Sequence, residues 1–141
     1  MKSKKTTFLS PYTPEGKKNI NSLFWDKKQI GVYFIKEGDQ IIYVGYSGSQ
    51  LCKTIYRHFQ SWNDKQQERY IYPHSCKVRV IFLNSAKRAA ELEKYLVKKL
   101  RPRDNKNKYD QIELNYTEVK NSIEILENSV LLQNKYEEAP F

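Results

Sequence analysis

One carboxylate in this sequence stands where a carboxylate is costly. The segment Ala86–Leu100 reads as a helix, with Ser85 as its N-cap and Pro102 just past its end. At about 100° per residue, with Glu93 set at zero, Ala86 falls near about +20°, Ala89 about −40°, Ala90 about +60°, Leu96 about −60°, Val97 about +40° and Leu100 about −20°. Glu93 sits mid-stripe on an apolar face. Its neighbour Glu91 falls on the far side with Lys87 and Lys98, where a solvated glutamate is expected. A charge on the buried stripe needs a partner, and two kinds satisfy it: a metal ion at the edge of a shallow site, or a structural salt bridge to Arg79, Arg57 or a lysine. Helical spacing alone leaves both open.

The second oddity is a mirrored pair. Gly31-Val32-Tyr33 and Tyr43-Val44-Gly45 set a glycine, a β-branched residue and a tyrosine in opposite order, with nine residues between the tyrosines. The runs Ile30–Lys36 and Ile41–Gly45, joined by Glu37-Gly38-Asp39-Gln40, predict a β-hairpin. Its two phenols either face one site or pack in a core, since tyrosine is common in half-buried strands.

The remaining elements must position these groups. Leu51, Ile55, Phe59 and Trp62 recur at helical spacing and predict an amphipathic helix over Leu51–Trp62, ended by polar Asn63–Arg69. Pro73 limits Tyr70–Ser75 to an edge strand at most. Lys77–Leu83 reads as the third strand, Arg101–Asp110 as a basic loop, Thr117–Glu127 as a helix and Val130–Gln133 as a short apolar run. Before the hairpin, Lys17–Phe24 is expected to make one or two helical turns. Trp25 and Trp62 are read as core side chains. The order β-β-α-β-α predicts a small α/β domain, its antiparallel hairpin covered by helices.

Taken together, these segments resemble the GIY-YIG nuclease domain. The hairpin matches the two motifs that name the family, and the helix from Leu51 takes the place of its basic helix. Leu92–Lys98 followed by Arg101-Pro102-Arg103-Asp104-Asn105 matches its glutamate helix and Pro-x-x-Asn loop. The match covers residues 30–108. It implies an α/β (α+β) fold, a small three-stranded antiparallel sheet flanked by helices, and metal-dependent endonuclease hydrolysis of a DNA phosphodiester. Further implied are Tyr33 as activator of the attacking water, Tyr43 as a group orienting water or phosphate, and Glu93 as the one protein ligand of a single Mg²⁺ or Mn²⁺ ion. A hard cation held by one carboxylate, waters and a phosphate is normal chemistry for Mg²⁺. Asn105 matches a loop residue that supports the site. His58 matches a histidine that accepts a proton from Tyr33 or contacts phosphate, and its place beside Ile55 and Phe59 also suits a half-buried core residue. Many relatives carry an arginine where this chain has Thr54, and several a lysine where it has Tyr46; Arg57, one turn after Thr54, is the candidate replacement. The alternative outcome is a catalytically weakened or inactive GIY-YIG nucleic-acid-binding module.

Charge agrees with a polyanionic partner. The 141 residues hold 25 Lys and Arg against 16 Asp and Glu, a net +9, with 23 against 9 in residues 1–108 and 2 against 7 in residues 109–141. A basic domain rich in tyrosine attracts nucleic acid, although lysine-rich composition alone also follows from codon bias. Double-stranded or branched DNA is the expected partner, with Lys53, Arg69, Arg101, Arg103, Asn105, Lys106 and Lys108 as contacts and a homodimer or protein partner for targeting. The organisation reads as a basic lead-in over 1–29, the nuclease domain over 30–108 and an acidic extension over 109–141 that packs on or beside it. Two cysteines without a CxxC pattern, and no apolar run near the about 18–20 residues of a membrane span, suggest a cytoplasmic chain without membrane contact.

Overall fold

The fold is given by a computed structural model that describes residues 8–12, 29–59, 61–63, 68–70, 72, 73, 75–106 and 108–137, with 61–63, 68–70 and 130–137 as backbone alone. Strands β1 (Gly31–Glu37) and β2 (Gln40–Ser47) form the hairpin, closed by Gly38-Asp39 with Gly38 at φ 60°, a value glycine takes without strain. Strand β5 (Lys77–Phe82) pairs with the other side of β1, so the sheet runs β2-β1-β5 and is antiparallel throughout. Because β1 is central and covered on both faces, Val32, Tyr33, Phe34 and Ile35 are all buried. A register shift after Ile35 turns both Ile42 and Tyr43 towards the same side.

Two apolar clusters lie on the two faces. One joins Tyr33, Ile35, Val78 and Val80 to helix α1 (Leu51–Arg57) through Leu51, Cys52, Ile55 and Tyr56. The other joins Val32, Phe34, Val44 and Ile81 to helix α2 (Ala86–Leu100) through Ala89, Leu92, Leu96 and Val97. Ser85 caps α2 by accepting a hydrogen bond from the Arg88 N–H, as its sequence position predicts. Helix α1 has no side-chain cap from Gln50. Instead Gln29, ahead of β1, takes the N–H of Leu51 on its carbonyl and that of Cys52 on its side chain.

Several sequence expectations need correction. Helix α1 stops at Arg57 rather than Trp62, because the chain turns at His58 and Phe59 into a small antiparallel hairpin of β3 (Ser61–Asn63) and β4 (Glu68–Tyr70). Trp62 therefore lies on β3, and its side chain, like that of Arg69, is outside the described residues. The Tyr72 N–H donates to the His58 carbonyl at 2.7 Å, a contact that replaces the next helical hydrogen bond. The acidic segment forms one helix, α3 (Tyr116–Glu137), which absorbs the Val130–Gln133 run. It packs against α2, where Lys94 meets Glu118 at 3.0 Å. Glu91, on the same flank as Lys94, is only 9% exposed and 4.0 Å from Arg88, contrary to the solvated role its helical angle suggests. Ahead of the hairpin, Leu9 pairs with Val78 at the β5 edge. The expected Lys17–Phe24 turns and Trp25 lie outside the described residues, as does the basic start over 1–7.

The mirrored glycines have a steric cause. Gly45 is the register partner of Tyr33, whose ring lies over it: a Cβ at Gly45 would stand 2.5 Å from the ring's Cζ and Oη. At Gly31 a Cβ would strike the Ile81 carbonyl oxygen and crowd Leu51 of α1. Gly45→Ala is therefore expected to lower stability by about 1–3 kcal/mol through forced displacement of Tyr33. Urea denaturation checks this, and an unchanged midpoint would count against the ring's placement over the glycine.

Candidate active site

Side chains that are distant in sequence meet on the α1 face of the sheet. Tyr33 comes from the central strand, Tyr43 from β2, His58 from the turn that ends α1, and Tyr72 from the segment after β4. The Tyr33 hydroxyl lies 2.8 Å from His58 Nε2. The His58 ring centroid is 4.9 Å from that of Tyr43 and 5.8 Å from that of Tyr72. The Tyr72 hydroxyl donates to Asp104 at 2.7 Å, tying this nest to the loop after α2.

Electrostatics pull the central pair apart. Burial above all, then the Tyr43 phenol and the charge of Glu93, hold the Tyr33 phenol far above its usual value near 10.0. Burial pushes His58 down from 6.5 to about 4, so the imidazole is neutral at physiological pH. Its Nδ1 is buried without a hydrogen-bond partner among the described residues. Tyr72 is raised too, by burial first and then by its bond to Asp104.

Glu93 is the second centre. Its side chain is 1% exposed, and both oxygens are engaged: Oε1 accepts from the Tyr109 hydroxyl at 2.7 Å and Oε2 from Lys108 Nζ at 3.2 Å. Of the two partners that helical spacing allowed, the lysine salt bridge is thus formed, with Lys108. Burial works to lower the Lys108 ammonium, but the Glu93 charge and hydrogen bond outweigh it and raise it. Tyr109 is pushed up to about 12 by burial and by its bond to Glu93. Lys98 donates to the Tyr109 carbonyl at 3.1 Å, so α2 grips this tyrosine at both ends. Among the described residues no three His, Cys, Asp or Glu side chains gather as a metal cluster.

The loop that carries Lys108 is held by Asn105. Its amide oxygen accepts from the Val44 N–H at 3.0 Å and its amide nitrogen donates to the Val44 carbonyl at 2.9 Å, so it pairs with the sheet edge as a strand would. At 7% exposure, with both amide atoms bonded to Val44, this side chain ties the loop to the sheet edge. Arg101 and Lys106 flank it in left-handed conformations, at φ 48° and 53°. Arg101 forms a two-pronged pair with Asp110 at 3.1 and 3.3 Å, while Arg103 pairs with Asp104 at 2.8 Å and Glu37 at 3.2 Å. Lys53, Arg57 and Lys106 are exposed and form no ion pair within 4.0 Å among the described residues. Arg57 is the last residue of α1, beside His58 and one turn after Thr54. A hollow of about 190 Å³ opens between Arg101, Arg103, Lys106 and Asp110.

Sequence reasoning missed Tyr72 and Tyr109. Each is a tyrosine in a segment without periodicity, and the adjacency of Tyr109 to Lys108 was the only signal for either. Tyr109 also lies one residue beyond the expected domain boundary.

The antiparallel sheet thus carries this aromatic nest on one face, with the buried glutamate on helix α2. The UvrC-like GIY-YIG domain family matches residues 29–106, more than half of the chain, and the chain belongs to that family. No curated protein and no solved structure matches it. Among the described residues no helix is long and apolar enough to cross a membrane.

The low His58 value has a direct consequence. The unfolded chain takes up its proton near 6.5 and the folded one only near 4, so stability contributed by the neutral ring is present above pH 6.5 and is lost as pH falls from there through about 4. In proton NMR the His58 ring signal, assigned by its absence in His58→Gln, is expected to titrate near pH 4. A midpoint near 6.5 would place the ring in water.

Proposed function

We propose that the chain is a metal-dependent DNA endonuclease that hydrolyses phosphodiester bonds through one metal held by Glu93. The observation that carries this reading is the 2.8 Å contact between Tyr33 and His58 in a domain of a nuclease family, with Glu93 near enough for its charge to act on Tyr33. Glu93 suits a hard cation: it is a fixed anionic oxygen donor whose Oε2 already takes a cationic partner, and waters and substrate phosphate complete such a shell. A bound Mg²⁺ or Mn²⁺ ion supplies positive charge to the phosphate oxygens and cancels the Glu93 field that helps to hold Tyr33 protonated.

The protein groups then divide the work. Tyr33 takes a proton from the attacking water as its own proton passes to His58 Nε2, in the tautomer that carries hydrogen on Nδ1. Tyr43, against the His58 ring, orients water or phosphate. Arg57 reaches the phosphate from the exposed end of α1, in place of the arginine absent at Thr54. Lys53, Lys106 and the cationic hollow by Arg101 and Arg103 hold the DNA backbone, either double-stranded or branched.

A second reading is favoured by one observation, the Lys108–Glu93 ion pair: a lysine that permanently takes the place of the metal would leave a DNA-binding module without cleavage. Nicking of supercoiled plasmid and branched DNA in Mg²⁺, Mn²⁺ and EDTA separates the two. Glu93→Gln is expected to abolish metal-dependent nicking with the circular dichroism spectrum unchanged, and Tyr33→Phe to slow it about 10²–10⁴-fold. Full nicking by Glu93→Gln would sink the endonuclease assignment, and salt-sensitive DNA binding without products would favour the binding module.

A further inference from the structure

We propose that Lys108 is the resting occupant of the Glu93 carboxylate, a tethered ammonium that leaves when a divalent cation binds. The inference rests on the metal reading above and adds to it the group that must yield.

The asymmetry of the pair carries the argument. Glu93 is 1% exposed and fixed on a packed helix, whereas the Lys108 side chain is 46% exposed on a flexible four-carbon stem. The anion cannot follow a departing cation, but the ammonium can move into water without disturbing the fold. Its backbone stays in place, because the Lys108 N–H donates at 3.1 Å to the carbonyl of Asn105, the residue pinned to Val44. Only the stem needs to swing.

Exchange changes the partner of one oxygen alone. Oε1 keeps the Tyr109 hydroxyl at 2.7 Å, and Tyr109 is held in turn by Lys98, so the carboxylate retains its orientation while Oε2 is handed over. Single-oxygen ligation suits a hard cation that keeps most of its waters. In the resting state the ammonium neutralises the buried charge, which explains how the fold tolerates Glu93 without metal. Once released, Lys108 stands at the rim of the site as an added positive charge for a DNA phosphate. Metal and DNA binding then reinforce each other through one residue.

Mn²⁺ binding without DNA, followed by electron paramagnetic resonance, tests the exchange. An ammonium in place about nine-tenths of the time lowers apparent affinity about tenfold, so Lys108→Met is expected to bind Mn²⁺ about tenfold more tightly than wild type and Lys108→Arg to stay near wild type. Equal or weaker binding by Lys108→Met overturns the proposal. Glu93→Gln is expected to lose Mn²⁺ binding; if it keeps wild-type affinity, the metal reading of Glu93 fails and the exchange fails with it. If Glu93→Gln is silent and Lys108→Met is unchanged, the exchange alone fails. Because Lys108→Met leaves a buried charge uncompensated, thermal melts accompany the titration. Mn²⁺ is expected to raise the melting temperature of Lys108→Met more than that of wild type, and an equal or smaller rise overturns the proposal.

Discussion

A buried carboxylate without compensation would destabilise this fold by several kcal/mol, and the C-terminal half of the domain is arranged to prevent that. Glu93 faces inwards because α2 must bury Leu92, Leu96 and Val97 around it. Compensation comes from the loop beyond the helix, which turns back through left-handed Arg101 and Lys106 to bring Lys108 and Tyr109 to the two oxygens. That loop can approach only if it docks on the sheet edge, and the Asn105 amide does this by pairing with both backbone groups of Val44. One charge thus links the helix, the loop and the edge strand.

The aromatic nest obeys a different constraint. Tyr33 and His58 share a short contact, yet burial drives the phenol up and the imidazole down, so proton transfer from one to the other is uphill in the resting protein. Positive charge placed nearer the phenol than the imidazole narrows that gap. Most of the loop cations are engaged at rest: Arg101 with Asp110, Arg103 with Asp104 and Glu37, and Lys108 with Glu93. The two arginine pairs are exposed, so a polyanion competes for these arginines at little cost.

The parts of this architecture that were legible in the sequence are those set by neighbours along the chain. The β-branched and aromatic runs of β1 and β2, the Gly38-Asp39 turn, the span of α2 from its Ser85 cap to Leu100, and the exceptional place of Glu93 all follow from residue types and spacing over a few residues. The parts misread depend on remote contacts. Phe59 and Trp62 keep helical spacing, but the backbone leaves the helix where Tyr72 binds the His58 carbonyl. Glu91 has the angle of a solvated residue, yet it is buried on the flank of α2 where Lys94 meets Glu118 of α3.

What the sequence determined by itself was therefore the identity of the elements, the two phenols of the hairpin and the need of Glu93 for a positive partner. Tertiary structure decided which partner that is, brought Tyr72 and Tyr109 into the site, and made Asn105 a clasp on β2. The division has a physical reason. Propensity and amphipathic periodicity act over one or two turns of chain, whereas a salt bridge to a buried charge or a hydrogen bond between residues 61 apart exists only after the packed layers have brought the segments together.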